Sequence, residues 1–410
     1  MIRITQNMMK NDVVYNLNTQ QNKMDELQNS LSTGKKVRLP HENPVAATNS
    51  MLYRSRITEI RKFIDNIEEG QARLNITEGA VRNVTNILHR LRELAVQAAN
   101  GTYEKKDREK IAVEVDELLK ELVEIANTKF KNESIFGGYK VDRNAFEVLK
   151  TKPQFADREV ITKVIYRGDI GVQNREIEQQ GYAGVNLAGN KVFWATNDGV
   201  VGGGNVANYV SSSNQIIRID GKEITINAGD NINTIINKIN SANIPVQASL
   251  SNNRLVLQTT NPHELWLEDI AGGTFFQQVG IKDPNQAPNE TATSAQRLGM
   301  SLFDVVIKIR DDLWKNDIKA LGGEDLGYLD AALDNNLKNL AEIGARSHRF
   351  ETVMKRLNDD KVDMLDILSK TENIDYSKVI MDLQMIDHVH RAALAVGARI
   401  MRPTLIDFLR

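Results

Sequence analysis

Apolar side chains in the first third of the chain recur every three or four positions. Ile57, Ile60, Ile64 and Ile67 set the spacing, and after a local shift Leu74, Val81, Val84, Leu88, Leu91, Ala95 and Ala98 resume it. Residues at these intervals share one face of an α-helix, while Arg, Glu and Asn occupy much of the remainder. The spacing predicts a long helix that stops at Asn100-Gly101, and a second from about Lys106 to Asn127 carrying Ile111, Val115, Leu118, Leu119, Leu122 and Ile125. The C-terminal part repeats the design. Leu340, Ile343, Ser347, Phe350, Met354, Leu357, Lys361, Met364 and Leu368 keep the three-four steps of a packed or coiled-coil-like helix. A break is expected at residues 371–375, followed by an amphipathic segment with Val379, Leu383, Ile386, Val389, Ala393, Val396 and Ile400.

The first forty residues are patterned more weakly. Val13, Val14, Leu17, Met24, Leu27 and Leu31 form a thin stripe, so a helix over Asn11–Leu31 gains little by itself and more once a partner covers it. Gly34, Pro40 and Pro44 interrupt the pattern and predict a boundary there. The middle of the chain has a different period. Val160–Arg167, Gln215–Ile219, Glu223–Asn227 and Arg254–Thr259 read as strands, with Asp220-Gly221 as a hairpin turn and Ile232–Ile239 as a short helix. The expected fold class is α+β multidomain, a helical rod built from both ends with an inserted, mainly β domain over roughly residues 140–290.

Composition narrows the function. The 52 basic and 54 acidic side chains nearly cancel, leaving a net charge of -2 and no pull toward nucleic acid. No apolar run is long enough for membrane insertion. Cysteine is absent, which removes thiol catalysis, disulfides and thiolate metal sites. The opening Met1-Ile2-Arg3-Ile4-Thr5 has no signal-peptide core, so an extracellular fate is expected to need another export route.

Catalytic and cofactor chemistry finds little support. His388 and His390 are two positions apart, a spacing that does not converge on one ligand from a helix. Gly202-Gly203-Gly204 lacks the Lys-Ser/Thr of a phosphate-binding loop. Asp311-Asp312 and Asp359-Asp360 read as solvated helix residues, and His89 and His348 have no acid-base partner in the pattern. Trp194, Trp266, Phe275 and Phe276 read as a local core within the insertion. No catalytic residue, metal or cofactor is expected, and assembly replaces chemistry as the expected role.

Particular residues give that expectation a family. Leu31-Ser32-Thr33-Gly34-Lys35-Lys36-Val37-Arg38, continuing through Pro40, Pro44, Ala46 and Ala47, resembles a motif of the flagellin-like axial proteins, with His41, Glu42 and Asn43 departing from its usual wording. Arg92-Glu93-Leu94-Ala95-Val96-Gln97-Ala98-Ala99-Asn100-Gly101-Thr102 is similar to a second family stretch. Asn127, Phe130, Ile135, Phe136, Gly137 and Gly138 resemble the close of the N-terminal rod unit, and Gly344-Ala345-Arg346 and Asp375-Tyr376 fit the C-terminal pattern. The ending Thr404-Leu405-Ile406-Asp407-Phe408-Leu409 resembles that of the FlgL-type hook–filament junction branch.

The resemblance implies an inner terminal helical domain from residues 1–42 and 376–410, disordered before assembly. It implies a helical rod domain from 43–140 and 295–375, and a mainly β outer domain from 141–294. It further implies a structural junction in the bacterial flagellum that joins the hook side, through FlgK, to flagellin, with copies of the chain in a ring or helical turn. Type III export without a cleaved signal peptide and a dedicated export chaperone belong to the same implication, in an external or periplasmic flagellum. Leu17, Met24, Leu27, Val379, Leu383 and Ile386 are the assembly-interface candidates. Gly34, Pro40, Pro44, Ala46, Ala47, Arg92, Asn100 and Gly101 are the structural motif candidates. A minor flagellin is the alternative within the family, and an adhesin or carbohydrate-binding surface protein the alternative outside it.

Overall fold

The computed structural model describes residues 6–154 and 158–400, and the apolar spacings become helices close to the predicted limits. In chain order the elements begin with α1 (Gln6–Thr33), α2 (Pro44–Ala99) and α3 (Lys105–Ala126). Then come β1 (Lys129–Phe130), β2 (Glu133–Ser134), β3 (Phe146–Thr151), β4 (Val160–Tyr166), β5 (Asn174–Glu178), β6 (Gly181–Gly184), α4 (Gly189–Val192) and β7 (Gly199–Val201). The insertion continues with β8 (Gln215–Ile219), β9 (Lys222–Ile226), α5 (Ile232–Ser241), β10 (Val246–Ser251), β11 (Arg254–Thr259), β12 (Leu267–Ile270), α6 (Phe275–Gln278) and β13 (Gln296–Arg297). The last elements are α7 (Leu302–Lys315), α8 (Ile318–Gly322), α9 (Glu324–Glu372) and α10 (Tyr376–Ile400). The chain divides into a first unit of residues 1–65 and 354–410 and a second of residues 66–353.

The second unit has a deep core. Phe136, Phe146, Phe193 and Phe303 pack ring on ring with centroids 5.0–5.4 Å apart, gathering residues on both sides of the insertion at one place. In the same unit Arg310 is fully buried on α7. Its Nη1 donates to Asp116 Oδ1 on α3 at 3.0 Å and to the Ile161 carbonyl on β4 at 2.8 Å, and its guanidinium lies 5.0 Å from the Trp314 ring. A buried charge is tolerated when its hydrogen bonds are made, and here one side chain ties three elements together. Arg108 plays a similar part at the end of α2. Its Nε and Nη2 donate to the Ala98 and Asn100 carbonyls at 2.8 and 3.0 Å, satisfying helix-end acceptors.

The insertion contains two larger antiparallel sheets, β10-β11-β7-β13 and β12-β8-β9, and two antiparallel strand pairs, β3-β4 and β5-β6. Ile217 and Ile219 of β8, Ile224 and Ile226 of β9, Ile235 and Ile239 of α5, and Leu255 and Leu257 of β11 belong to one buried cluster. Asp220 and Gly221 turn the β8–β9 hairpin with φ of 47° and 82°, the left-handed pair that a two-residue turn requires. Trp194, Trp266, Phe275 and Phe276 are all buried, in agreement with a local core.

One buried cluster within this unit holds an excess of acid. Arg297 of β13 donates to Asp198 Oδ2 at 2.6 Å and to Glu264 Oε1 at 3.2 Å, and Asn289 donates to the same Glu264 oxygen at 3.2 Å. Burial pushes the Glu264 carboxyl from 4.5 up to about 8, with Arg297 opposing the rise and Asp198 adding to it. The folded value lies above the unfolded one, so the protonated acid contributes stability that is complete below about 4.5 and is lost as pH climbs through about 8. Glu264→Gln should flatten this slope and make the variant more stable than the parent at pH 9, read as denaturant midpoints at pH 5, 7 and 9. Parallel profiles for the two proteins would contradict this assignment.

Candidate assembly surface

Three segments close the first unit at one point. α1 ends at Gly34, whose φ of +70° needs a residue without a side chain, and a Cβ there would fall 2.7 Å from the Tyr376 hydroxyl. The Ile374 amide donates to the Gly34 carbonyl at 3.1 Å, and the Lys36 amide to the Glu372 carbonyl at 2.6 Å. Glu372 is buried, and its carboxylate receives Arg54 of α2 at 2.7 and 3.2 Å together with the Lys35 ammonium. The Arg54 hydrogen bond is the main reason that the Glu372 carboxyl sits below the usual carboxylate range, with burial opposing the shift and Lys35 reinforcing it. This clasp joins the ends of α9 and α1 to α2.

The motif candidates shape the same region. Pro40 lies in an exposed turn closed by the Glu42 amide on the Leu39 carbonyl at 3.0 Å. Glu42 Oε2 in turn accepts the Arg38 and Leu39 amides at 2.8 and 3.2 Å. Asn43 caps α2 through its Oδ1, which accepts the Ala46 amide at 3.0 Å, and Pro44 takes the first helical position, where a missing N–H costs nothing. Ala46 and Ala47 are half-buried in that first turn. Leu39, Pro40, Ala47 and Met51 line an open groove of about 560 Å³. In the second unit Arg92 pairs with Asp330 at 2.8 Å, and Asn100 receives Arg108 through its carbonyl. Gly101 has open space where a Cβ would stand and no positive φ, so its backbone does not demand glycine.

Leu17, Met24 and Leu27 are half-buried on α1, and Val379, Leu383 and Ile386 are half-buried on α10. The two helices pack together and run antiparallel from the clasp, so these six side chains belong to the seam between them. A second apolar stripe on α10 faces away from that seam. Met381, Met385, Val389 and Val396 are 62%, 59%, 47% and 55% exposed, and Ala392 lies among them. At 100° per residue the two stripes are centred roughly 120° apart. Sequence reasoning placed Val389 and Val396 in one stripe with Leu383; resolving the stripe by helical angle separates them. On α1 the exposed apolar side chains are Met8, Met9, Val14 and Tyr15, with Asn11, Asn18, Asn22 and Asn29 also exposed along the helix.

The unit as a whole is short of core. Among the described residues its buried apolar side chains are Ile57, Ile60, Phe63, Ile64 and Leu357. Yet among the described residues it carries eighteen of the twenty-nine large exposed apolar side chains, far beyond its share of them. Contiguous exposed apolar surface is the physical signature of a binding face, and the α10 stripe is the candidate for one. The sequence-derived ending at residues 404–409 lies outside the described residues. No group of three acidic or histidine side chains among the described residues is arranged to hold a metal.

Comparison with known proteins adds independent findings. A family model described as the bacterial flagellin N-terminal helical region matches residues 4–141, and one described as the flagellin hook IN motif matches residues 207–261. The chain is 25% identical over 352 residues to polar flagellin F of Vibrio parahaemolyticus, covering 85% of this chain and 83% of that protein. It is 25% identical over 391 residues to flagellin D of Vibrio cholerae, covering 93% and 91%. The solved flagellar junction protein FlgL from Legionella pneumophila aligns at 21% identity and a TM-score of 0.46, covering 80% of this chain and all of that one.

Glu372→Gln should loosen the clasp by about 1 kcal/mol, the scale of a partly solvent-screened ion pair, and expose residues 35–38. Limited trypsin digestion should then cut after Lys35, Lys36 or Arg38 several-fold faster than in the parent. Acidification should act in the same direction, because a carboxyl with a depressed folded value loses its contribution as pH falls through that value. Unchanged cleavage rates in the variant would show that the carboxylate does not hold the loop.

Proposed function

Because the chain is a flagellin-like axial protein, we propose that it forms the junction between the hook side and the filament of a bacterial flagellum. The role is structural, and no catalytic step is assigned to it. The observation that carries the assembly part of this reading is the second apolar stripe of α10, Met381, Met385, Val389 and Val396, on a unit with little core. Each of these side chains has about half its surface left to bury, which amounts to roughly 1 kcal/mol apiece. Repetition over copies of the chain turns such modest contacts into a durable joint. The junction part rests on the resemblance at the chain ends, including the 404–409 ending outside the described residues.

In this reading residues 1–42 and 376–410 form the inner domain, 43–140 and 295–375 the rod domain, and 141–294 the outer domain. FlgK on the hook side and flagellin on the filament side are the partners, with neighbouring copies of this chain between them. Export uses the type III apparatus and a chaperone for the C-terminal region, with residues 1–40 as the export arm. The flagellin relatives, similar over more than nine-tenths of the chain in one case, favour a minor filament subunit as the second reading.

Electron microscopy of cells lacking the gene separates the two. The junction reading predicts hooks without filaments, with unassembled flagellin in the medium or periplasm, and recovery when the natural gene is restored. Normal filaments would contradict it and favour a minor filament subunit. A Met385→Glu gene should fail to restore filaments although the purified variant keeps the parent's helix content by circular dichroism. Full restoration by that variant would remove the α10 stripe from the assembly surface.

A further inference from the structure

The two larger sheets of the insertion each leave an edge strand beside α5. β10 is at one edge of β10-β11-β7-β13 and β9 at one edge of β12-β8-β9, and α5 packs against both strands. An edge strand turns the N–H and C=O of every second residue away from its partner, and that row can pair with any strand that reaches it. The turns decide which residues those are. Asn252 and Asn253, with φ of 48° and 58°, close a two-residue hairpin between Ser251 and Arg254. Bonded pairs then alternate from Ser251–Arg254 through Ser249–Val256 to Gln247–Gln258, which leaves Val246, Ala248 and Leu250 with outward groups. The same count on β9, starting from Ile219–Lys222, turns Glu223 and Thr225 outward.

α5 meets one outward residue on each strand with a side chain. Asn240 takes the place of a paired peptide at Ala248: its Oδ1 accepts the Ala248 amide at 2.7 Å and its Nδ2 donates to the Ala248 carbonyl at 3.0 Å. Lys238 donates to the outward Thr225 carbonyl of β9 at 3.1 Å and pairs with Asp230. Ile232, Ile235 and Ile239 sit in the buried cluster and fix the helix there, so one apolar stripe delivers both polar side chains to the edges. The two strands differ in their own protection. β9 begins with Lys222 and Glu223 and carries charge along its edge, whereas β10, Val246–Ser251, has no charged residue and no proline.

We infer that β10 is a latent pairing edge whose partner is the same strand of a second copy, and that Asn240 keeps it closed by occupying Ala248. A twofold antiparallel pairing of β10 is self-complementary. Each copy brings a donor and an acceptor at every outward residue, and no like charges meet across the axis. With Asn240 in place the central outward residue is already bonded, so an incoming strand must break two hydrogen bonds to make two. Copies of the chain held side by side would meet at high local concentration, where an unguarded edge pairs most readily. The geometry belongs to the insertion alone and is the same whether the chain is a junction protein or a filament subunit.

Self-association of the purified full-length chain, read by sedimentation velocity over a range of concentrations, tests this. Asn240→Ala removes the side-chain amide without touching the β10–β11 ladder, and should self-associate at least about tenfold more tightly than the parent. Adding Leu250→Pro, at an exposed position whose N–H points away from β11, should return that chain to the parent's behaviour, because proline removes an outward donor. Hydrogen exchange supplies the local reading. The Ala248 amide should be protected in the parent, lose protection in dilute Asn240→Ala and regain it as concentration rises. α10 is unchanged in every variant, so association through its exposed stripe is common to all and drops out of the comparison. An Asn240→Ala chain that associates no more than the parent would overturn the inference. Association that persists with Leu250→Pro, or that leaves the Ala248 amide exchanging fast, would overturn it as well, since the contact would lie elsewhere.

Discussion

A helix in a two-helix pair can bury one stripe of side chains, and α10 carries two. Val379, Leu383 and Ile386 are used against α1, and Met381, Met385, Val389 and Val396 remain in solvent. Unfavourable exposure of this kind is resolved by adding neighbours, because no further element of the first unit covers that face among the described residues. The helix therefore encodes an unfinished core. In the proposed assembly, repetition of the chain would supply the missing walls.

The remaining structure fixes where that unfinished surface is presented. In the first unit Glu372 holds Arg54 and Lys35, and the backbone of Gly34 and Lys36 hydrogen-bonds to Ile374 and Glu372. These contacts set the point from which α1 and α10 depart. The second unit has its own core and needs no such completion: its phenylalanine cluster and the Arg310–Asp116 pair are closed to solvent. The contrast is physical, with one unit that has a closed core and another that leaves much of its apolar surface exposed.

Much of the fold was legible in the chain. Three-four spacing located the long helices because their burial is one-sided, and Asp220-Gly221 located a hairpin because few residue pairs accept two positive φ values. Gly34 and Pro44 occupy the turn and the helix start that their backbone restrictions suit. Short strands were harder. β7 spans Gly199–Val201 and exists only because β11 and β13, distant in sequence, pair with it. Charge hubs were invisible for the same reason, since Arg54 and Glu372 are 318 positions apart and Glu264 finds Asp198 and Arg297 only after folding. The α10 surface was present in the sequence but merged with the seam, and helical angle is the signal that would have resolved Met381 and Met385.

The most direct measurement of the central claim is oxidative footprinting of Met381 and Met385 in the free chain and in flagella isolated from cells. Thioether oxidation follows exposure, so both methionines should react readily in the free chain and lose most of that reactivity in the assembled flagellum. Equal reactivity in the two states would contradict the account, because the stripe that most demands a neighbour would then have none.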